Sequence, residues 1–260
     1  MKKFTKAFLT NVVKMNEDDV KAVMKYQRLF PELLKDEEGF CVNGRVLWEQ
    51  LEKPYGGYAT WIKQRVLKQG WKKNSDYSSL MKSQKRGVGG TISKEYYFTI
   101  EMAKHVAMME NTECGHLVRT YFIKMEKAIK GYQDHEAIRH PEKAGFKEMC
   151  KYIKQQYIEN NGKSPIGKSI YANNADMINV ALLGKTAQQI KDSLDIADTE
   201  TRENLSIETN RAIYDLQQLN INLILSNIDF STREKMINDT CRFRYSNLKN
   251  NVYKELDIAA

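Results

Sequence analysis

Lys82-Ser-Gln-Lys-Arg-Gly-Val-Gly-Gly90 has no apolar periodicity and is rich in glycine and basic residues, which predicts a mobile loop. Tyr96-Tyr-Phe98 follows this loop and is the strongest strand candidate in the front half of the chain. Ala59 to Gln69 precedes the loop and has the apolar period of a helix. A helix, a basic loop and a strand are the parts of a winged-helix-like DNA-binding domain, whose wing contacts the phosphate backbone.

The predicted helix over Ala59 to Gln69 has two different faces. Ile62 and Val66 share one face and are expected to point into a core. The other face carries Trp61, Gln64, Arg65 and Lys68. Such a basic face could lie along phosphates or in a groove, with Gln64 and Arg65 as the first candidates for reading bases. Alternatively, the helix is simply amphipathic and Trp61 packs on a neighbouring element.

Charge is distributed unevenly along the chain. The 260 residues include 41 Lys and Arg against 33 Asp and Glu, a formal net charge of +8. Ten basic residues and one acid lie between Lys53 and Lys94, whereas ten acids and five bases lie between Ile190 and Asp239. This asymmetry is typical of a front half that binds a polyanion and a back half that meets protein or water. The other interpretation is that the lysine-rich segments are simply solvated.

The composition and the periodicity together predict a mostly helical α+β protein. Glycine and proline are scarce, with 14 and 4 residues, so turns are few. In the back half, apolar residues repeat at helical spacings from Leu205 to Leu223, and Thr186-x-x-Gln189 and Ser231-x-x-Glu234 resemble capping boxes. The apolar stripe favours the core of an all-α bundle, and a dimer seam is the alternative.

We therefore predict four segments along the chain. Residues 1–37 are a helical N-terminal extension, and 38–131 are a small basic winged-helix-like domain with a short sheet. Residues 132–141 are polar, end in Pro141 and are predicted to be a linker. Residues 142–260 are predicted to be an all-α module that meets protein or forms an oligomer.

Motifs that would indicate catalysis lack the context that they need. Gly162-Lys-Ser-Pro-Ile-Gly-Lys-Ser169 matches the P-loop pattern G-x-x-x-x-G-K-S, but it follows an amphipathic helix and not a buried strand. His135 and His140 are five residues apart, so a helix would not stack them as metal ligands. We expect no enzyme activity, no metal and no cofactor, with a P-loop-like nucleotide-binding protein as the remote alternative.

The location expected from the sequence is the cytoplasm. No apolar run is long enough to span a membrane, and no secretory signal is recognisable at the N-terminus. The four cysteines are far apart and form no C-x-x-C pair. We therefore expect no membrane partner.

Several segments resemble the AntA/AntB phage antirepressor domain over residues 38–130. They are Val42-Asn-Gly-Arg-Val-Leu-Trp-Glu-Gln-Leu51, Trp61-Ile-Lys-Gln-Arg65, Trp71 before Ser75-Asp-Tyr77, Lys94-Glu-Tyr-Tyr-Phe-Thr-Ile-Glu-Met-Ala-Lys104, and Gly115 with Arg119-Thr-Tyr-Phe122 and Met125-Glu-Lys127. Tyr171-Ala-Asn-Asn-Ala-Asp-Met-Ile-Asn179 with Leu183-Gly-Lys185 looks like a carboxyl-terminal module of phage antirepressors. The first resemblance rests on the order and spacing of several segments, the second on one short motif.

The resemblance implies a regulator of a temperate phage or prophage, acting in the bacterial host cell, that relieves lysogenic repression. It would bind a phage repressor protein, double-stranded DNA or both, as a homo-oligomer, and its front domain is related in character to KilA-N and BRO modules. The residues predicted to meet DNA are Trp61, Lys63, Gln64, Arg65, Lys68, Lys72, Lys73, Lys82, Lys85 and Arg86. The acidic back half would suit a basic partner such as a repressor. The alternative function is a self-sufficient, sequence-specific transcription regulator.

Overall fold

The computed structural model describes residues 3–84, 91–194 and 201–248. These residues are mostly helical, with one small antiparallel sheet early in the chain and a helical region after it. The predicted class, α+β and mostly helical, is therefore confirmed. The chain forms two compact units, one made of Asn16–Glu126 with the residues up to Phe4, the other of Thr5–Met15 with the residues from Lys127 onward.

The first unit combines short helices with the sheet. Its helices are α1 (Glu17–Leu29), α2 (Gly44–Gln50), α3 (Tyr58–Ile62), α4 (Ile100–Met108) and the start of α5 (Glu113–Asn161). A 3-10 turn, Pro31–Leu34, follows α1, and a π turn, Lys63–Leu67, continues α3. Its strands are β1 (Val42–Asn43), β2 (Tyr77–Gln84) and β3 (Thr91–Phe98).

Local sequence signals explain where these helices begin. The Asn16 side chain accepts a hydrogen bond from the Asp19 amide at 2.8 Å and caps α1. Asn43 caps α2 by accepting from the Arg45 and Val46 amides, and Thr99 caps α4 by accepting from the Met102 amide.

The sheet has the order β1-β3-β2, and both pairings are antiparallel. Tyr77 pairs with Phe98 and Gln84 pairs with Thr91, so β2 and β3 are the two arms of a hairpin. The predicted strand Tyr96-Tyr-Phe98 is the end of β3. The prediction of a loop is wrong for Lys82 to Gln84, which belong to β2, and residues 85–90 lie outside the described part of the chain.

Large aromatic side chains fill the core of the first unit. Tyr26 and Tyr121 stack with their ring centroids 3.7 Å apart, and both are completely buried. Burial raises the pKa of Tyr121 to about 12, so its hydroxyl stays neutral at physiological pH. Trp61 packs edge-on against Phe98, which joins α3 to the central strand.

The second unit is built from helices. They are the rest of α5, then α6 (Ser169–Leu183), α7 (Ala187–Leu194), a 3-10 turn (Thr201–Asn204), α8 (Ile207–Leu225) and α9 (Phe230–Arg244). Gly184 ends α6 with φ of 71°, a left-handed conformation that glycine adopts without a steric penalty. The apolar core of this unit contains Met149, Ile153, Ile178, Leu182, Ile213, Leu216 and Ile237.

One capping box of the second unit is confirmed and the other is wrong. Thr186 and Gln189 exchange backbone-to-side-chain hydrogen bonds at the start of α7. The cap of α9 is instead Asp229, two residues before Ser231, which accepts from the Thr232 amide, so the helix begins at Phe230.

The structure differs from the predicted linker at 132–141. These residues lie inside α5, and Pro141 is accommodated within the helix. His135, Arg139 and Glu142 are buried at the helical spacing i, i+4, i+7. Arg139 contacts Glu142, and both reach charged residues of the Thr201–Asn204 turn. The segment is polar because it buries ion pairs, and its polarity does not mark a break in the fold.

The predicted N-terminal extension, 1–37, is divided between the two units. Phe8–Val12 is a π turn of the second unit, where Asn11 Nδ2 donates to the Asn204 carbonyl at 3.0 Å. The Phe8 ring packs edge-on against the His135 ring. From Asn16 onward, including α1, the extension belongs to the first unit.

Candidate nucleic-acid interface

Five lysines predicted to meet DNA are exposed on the first unit. They are Lys63, Lys68, Lys72, Lys73 and Lys82. Lys63 and Lys68 stand at the two ends of the π turn, where the Lys68 amide donates to the Lys63 carbonyl at 3.2 Å. Exposed ammonium groups on a short helical segment, a turn and a strand are suited to contact phosphates, since each is a strongly hydrated point charge.

The turn between the π segment and β2 is held by an acid. The Lys72 amide donates to Asp76 Oδ2 at 2.7 Å and the Asp76 amide donates to the Lys72 carbonyl at 2.9 Å. These bonds fix the backbone of Lys72 and leave its ammonium group in solvent. Asp76 is the one acid of the basic segment Lys53–Lys94, and its role in this turn explains its presence there.

Trp61 does not lie on the exposed basic face, so that prediction is wrong. Its side chain has no exposed surface, and its Nε1 donates to Glu110 Oε1 at 2.9 Å. The buried face of the segment runs through Tyr58, Trp61, Ile62 and Val66, and is wider than the stripe read from the sequence. Trp61 is a core residue with a satisfied indole N–H.

Arg65 is not free to read a base, which also differs from the prediction. Its Nε donates to Glu110 Oε1 at 2.8 Å, and one Nη donates to the Met109 carbonyl at 3.1 Å. The bond to Glu110 raises the pKa of the Arg65 guanidinium, so Arg65 stays charged. The Glu110 side chain is only 2% exposed, so this pair is internal to the first unit.

The remaining residues predicted to meet DNA are Gln64, Lys85 and Arg86. Gln64 is half-buried beside the exposed lysines. Lys85 and Arg86 lie outside the described residues. β2 also exposes Leu80 and Met81 beside Lys82, with 58% and 72% of their surface accessible, and sequence reasoning missed them. The signal was the break in the alternation of polar and apolar residues at that point of the strand.

Gly115, near the start of α5, lets the Glu110 backbone approach closely because glycine has no Cβ. A Cβ at Gly115 would lie 2.2 Å from the Glu110 carbonyl oxygen, which also accepts from an Arg119 Nη at 2.7 Å. We expect Gly115→Ala to lower the stability of the first unit by about 1–3 kcal/mol through this overlap. Urea unfolding followed by tryptophan fluorescence measures it, since Trp48, Trp61 and Trp71 are all in this unit. His116→Ala, at the next and exposed position, is the control, and an equal effect of the two changes would contradict the steric explanation.

In the second unit, one group of side chains has the donor atoms of a metal site. The ligand atoms of His135, Glu136 and Glu203 lie within 4.8 Å of one another. However, Glu203 already contacts Lys143 Nζ at 2.8 Å and Arg139 at 3.2 Å. These cations oppose a second positive charge, so the group is better described as part of an ion-pair network.

Comparison with known proteins tests the family resemblance. No curated protein and no solved structure matches the chain. Within the described ranges, no helix has both the length and the apolar character needed to cross a bilayer. The family model described as AntA/AntB antirepressor matches residues 42–112. The resemblances of residues 113–130 and of the back half therefore stay predictions. The front resemblance is therefore confirmed over residues 42–112, which match the AntA/AntB antirepressor family model.

Proposed function

We propose that this protein is a phage or prophage antirepressor that relieves lysogenic repression by binding a repressor protein, DNA or both. The observation that carries the proposal is that residues 42–112, which match the antirepressor family, also present the exposed lysines Lys63, Lys68, Lys72, Lys73 and Lys82. Two of the predicted contacts, Trp61 and Arg65, have internal roles. The DNA-binding part of the proposal therefore rests on lysines.

A lysine-based surface predicts a particular kind of DNA binding. Lysines that contact phosphates hold a protein on the duplex but carry no sequence information. With Arg65 held by Glu110, Gln64 is the one predicted base-reading residue whose side chain is not in an ion pair. We therefore expect binding that is electrostatic, dependent on salt and weakly selective for sequence.

The test is DNA binding by the full chain across a salt series. Affinity for a random duplex, measured by fluorescence anisotropy, is expected to fall with a log–log slope of about −0.9 per phosphate contacted. Three exposed charges are reversed in the variant Lys63→Glu, Lys68→Glu and Lys72→Glu. The salt dependence should become less steep, with the magnitude of the slope lower by about 2–3, and the affinity at low salt should fall on the order of 100-fold.

A matched triple variant separates a local surface from overall charge. The control replaces three exposed lysines of α5 with glutamate, as Lys147→Glu, Lys151→Glu and Lys154→Glu. It therefore changes the net charge of the protein by the same amount. We expect this control to retain most of the affinity. Equal losses in the two triple variants would mean that only net charge matters, and the surface around Lys63 would then have no special role.

The second unit is proposed to hold the repressor or a second copy of the chain. Its described surface exposes Glu208, Glu234 and Asp239, which favour a basic partner. Glu203 and Asp215, also counted as acids of the back half, pair internally with cations or with Tyr245. The acidic surface is therefore smaller than the sequence alone indicates.

Relief of repression is tested in a lysogen whose lytic promoter drives a reporter. Expression of the native chain should switch the reporter on, and Glu208→Lys with Glu234→Lys and Asp239→Lys should weaken this response if the acidic surface meets the repressor. Failure of the native chain to act on a lysogen of its own phage would contradict the proposed function.

The alternative is a transcription regulator that needs no protein target. The observation that favours it is the helix, turn and hairpin arrangement of the first unit, which is typical of winged DNA-binding domains. A direct regulator must prefer its operator over random DNA by at least about 1,000-fold. Selection from a random duplex library distinguishes the two, because enrichment of one motif to that level would favour the regulator.

A further inference from the structure

A cavity of about 660 Å³ opens in the second unit. It lies where the end of α5, the start of α6 and the start of α9 come together. Its apolar wall includes Ile153, Tyr157, Ile170 and Phe230, and its polar wall includes Gln156, Asn160, Asn173, Asn174 and Asn227. A concave site of this size with a few convergent polar groups is typical of small-molecule binding.

Arg233 lines the cavity and is a buried cation that makes no hydrogen bond to any carboxylate that the structure describes. The residue is only 3% exposed, and its hydrogen bonds go to neutral oxygens. One Nη donates to Asn174 Oδ1 at 2.7 Å and to Asn220 Oδ1 at 2.6 Å, and Nε donates to the Ile228 carbonyl at 3.1 Å. Among the residues that the structure describes, its second Nη has no hydrogen-bond partner.

Two other arginines of this unit, one buried and one with a side chain 14% exposed, have a carboxylate partner. Arg139 and Arg202 both contact the carboxylate of Glu142. Asp229 acts on Arg233 and also lines the cavity, but it is exposed, and both of its carboxylate oxygens accept from Thr232 at the start of α9. Burial lowers the pKa of Arg233, which reflects the cost of placing a cation there without a close anion. An anion that enters the cavity would remove this cost.

The start of α6 adds a second feature that favours an anion. Ser169 and Ile170 are the first residues of the helix, and both line the cavity. Lys168 precedes them without making a side-chain cap, so no carboxylate or hydroxyl occupies the position that usually satisfies these amides. Helix N-termini attract anions, because their amides point outward and the helix dipole is positive there.

From these features we infer that the cavity binds a small molecule carrying a phosphate or carboxylate group, held by Arg233 and the amides at the start of α6. The asparagine side chains supply further hydrogen bonds, and the apolar wall accepts the rest of the ligand. The segment Gly162–Ser169 leads into this site. Although it lacks the preceding buried strand of a P-loop, its last residue, Ser169, lines the anion-binding cavity.

The experiment is a set of thermal-unfolding titrations of the full chain at constant ionic strength. Inorganic phosphate, succinate and ATP with magnesium are added separately, with sodium chloride as the reference. At ten times the dissociation constant, a binding anion should raise the Tm by about 3–6 °C. A response to phosphate and not to succinate assigns a phosphate ligand, and the reverse assigns a carboxylate. If none of the three anions raised the Tm at concentrations up to about 50 mM, the proposal would be overturned.

Two variants place the binding in the cavity without disturbing its buried residues. Ser169→Asp adds a carboxylate at the first residue of α6, where an acid favours the helix, so the variant should fold normally. Asn173→Asp changes an exposed residue of the cavity wall. Each should weaken anion binding at least tenfold through repulsion, and unchanged binding in both would exclude this site.

Two more variants complete the assignment. Arg233→Lys keeps the charge but removes the forked donor, so we expect the response to fall while the protein stays folded. Arg211→Met removes an exposed positive charge from α8, outside the cavity, and should leave the anion response unchanged. Loss of the response in Arg211→Met to the same extent would show a nonspecific effect of charge and would count against the cavity.

Discussion

Glu142→Ala is expected to lower the free energy of unfolding of the second unit by about 3–5 kcal/mol. Glu142 is 1% exposed and contacts two arginines, the buried Arg139 and Arg202, whose side chain is 14% exposed. Its Oε1 also accepts from Gln217 Nε2 at 3.0 Å. Removing the carboxylate leaves two guanidinium groups with less compensation in a poorly solvated site, and this cost is large compared with the marginal stability of a domain.

The measurement is urea unfolding followed by far-UV circular dichroism, with hydrogen exchange of α8 as a local readout. Tryptophan fluorescence does not report on this unit, because all three tryptophans lie in the first one. Glu148→Ala is the control, since Glu148 is an exposed acid on the same helix and its loss should cost less than about 0.5 kcal/mol. If Glu142→Ala cost no more than Glu148→Ala, the buried network would not stabilise the unit.

This network also shows why the domain boundary could not be read from the sequence. Apolar periodicity is the main signal of a buried helix, and residues 132–141 lack it. The periodic feature there is polar, with His135, Arg139 and Glu142 on one face of α5. Their partners, Arg202 and Glu203, come about 60 residues later in the chain. A polar stripe therefore resembles a solvated linker until its partners are known.

Most of the local structure was predictable, because short-range signals specify it. Thr186 caps a helix as predicted, and Tyr96-Tyr-Phe98 is the end of a strand. These features depend on residues within about four positions of one another. The mostly helical class followed from the same signals and from the scarcity of glycine and proline.

The candidate site was predictable only in part. The exposed lysines were identified because solvated charges need no partner, and the structure leaves them exposed. Trp61 and Arg65 were assigned to the same surface because a helical wheel gives directions but not neighbours. Their shared partner, Glu110, lies 45 residues after Arg65, beyond the reach of any local pattern. The same holds for Arg233, whose hydrogen bonds to the neutral oxygens of Asn174 and Asn220 are visible only in the folded unit.

Arg65→Met is expected to lower the stability of the first unit by about 3 kcal/mol, because it leaves the Glu110 carboxylate buried without its main counter-charge. Trp61 Nε1 would be the remaining side-chain donor to Glu110 among the contacts described for that group. Adding Glu110→Gln should restore at least half of the loss, since a neutral amide oxygen still accepts from Trp61 and costs less to bury. Tryptophan fluorescence during urea unfolding measures both variants, and Trp61 reports directly on the site.

The double variant also separates a structural role of Arg65 from a DNA-reading role. Arg65 and Glu110 together carry no net charge, and neither do Met and Gln, so the electrostatic field around the exposed lysines is preserved. If Arg65 acts only within the first unit, the folded double variant should bind random duplex DNA with the native affinity and the native salt dependence. A loss of about 1–3 kcal/mol in binding, confined to particular sequences, would instead mean that Arg65 leaves Glu110 to contact a base. We expect native affinity and native salt dependence, because moving Arg65 to a base would leave the buried Glu110 carboxylate without its cation in return for a single base contact.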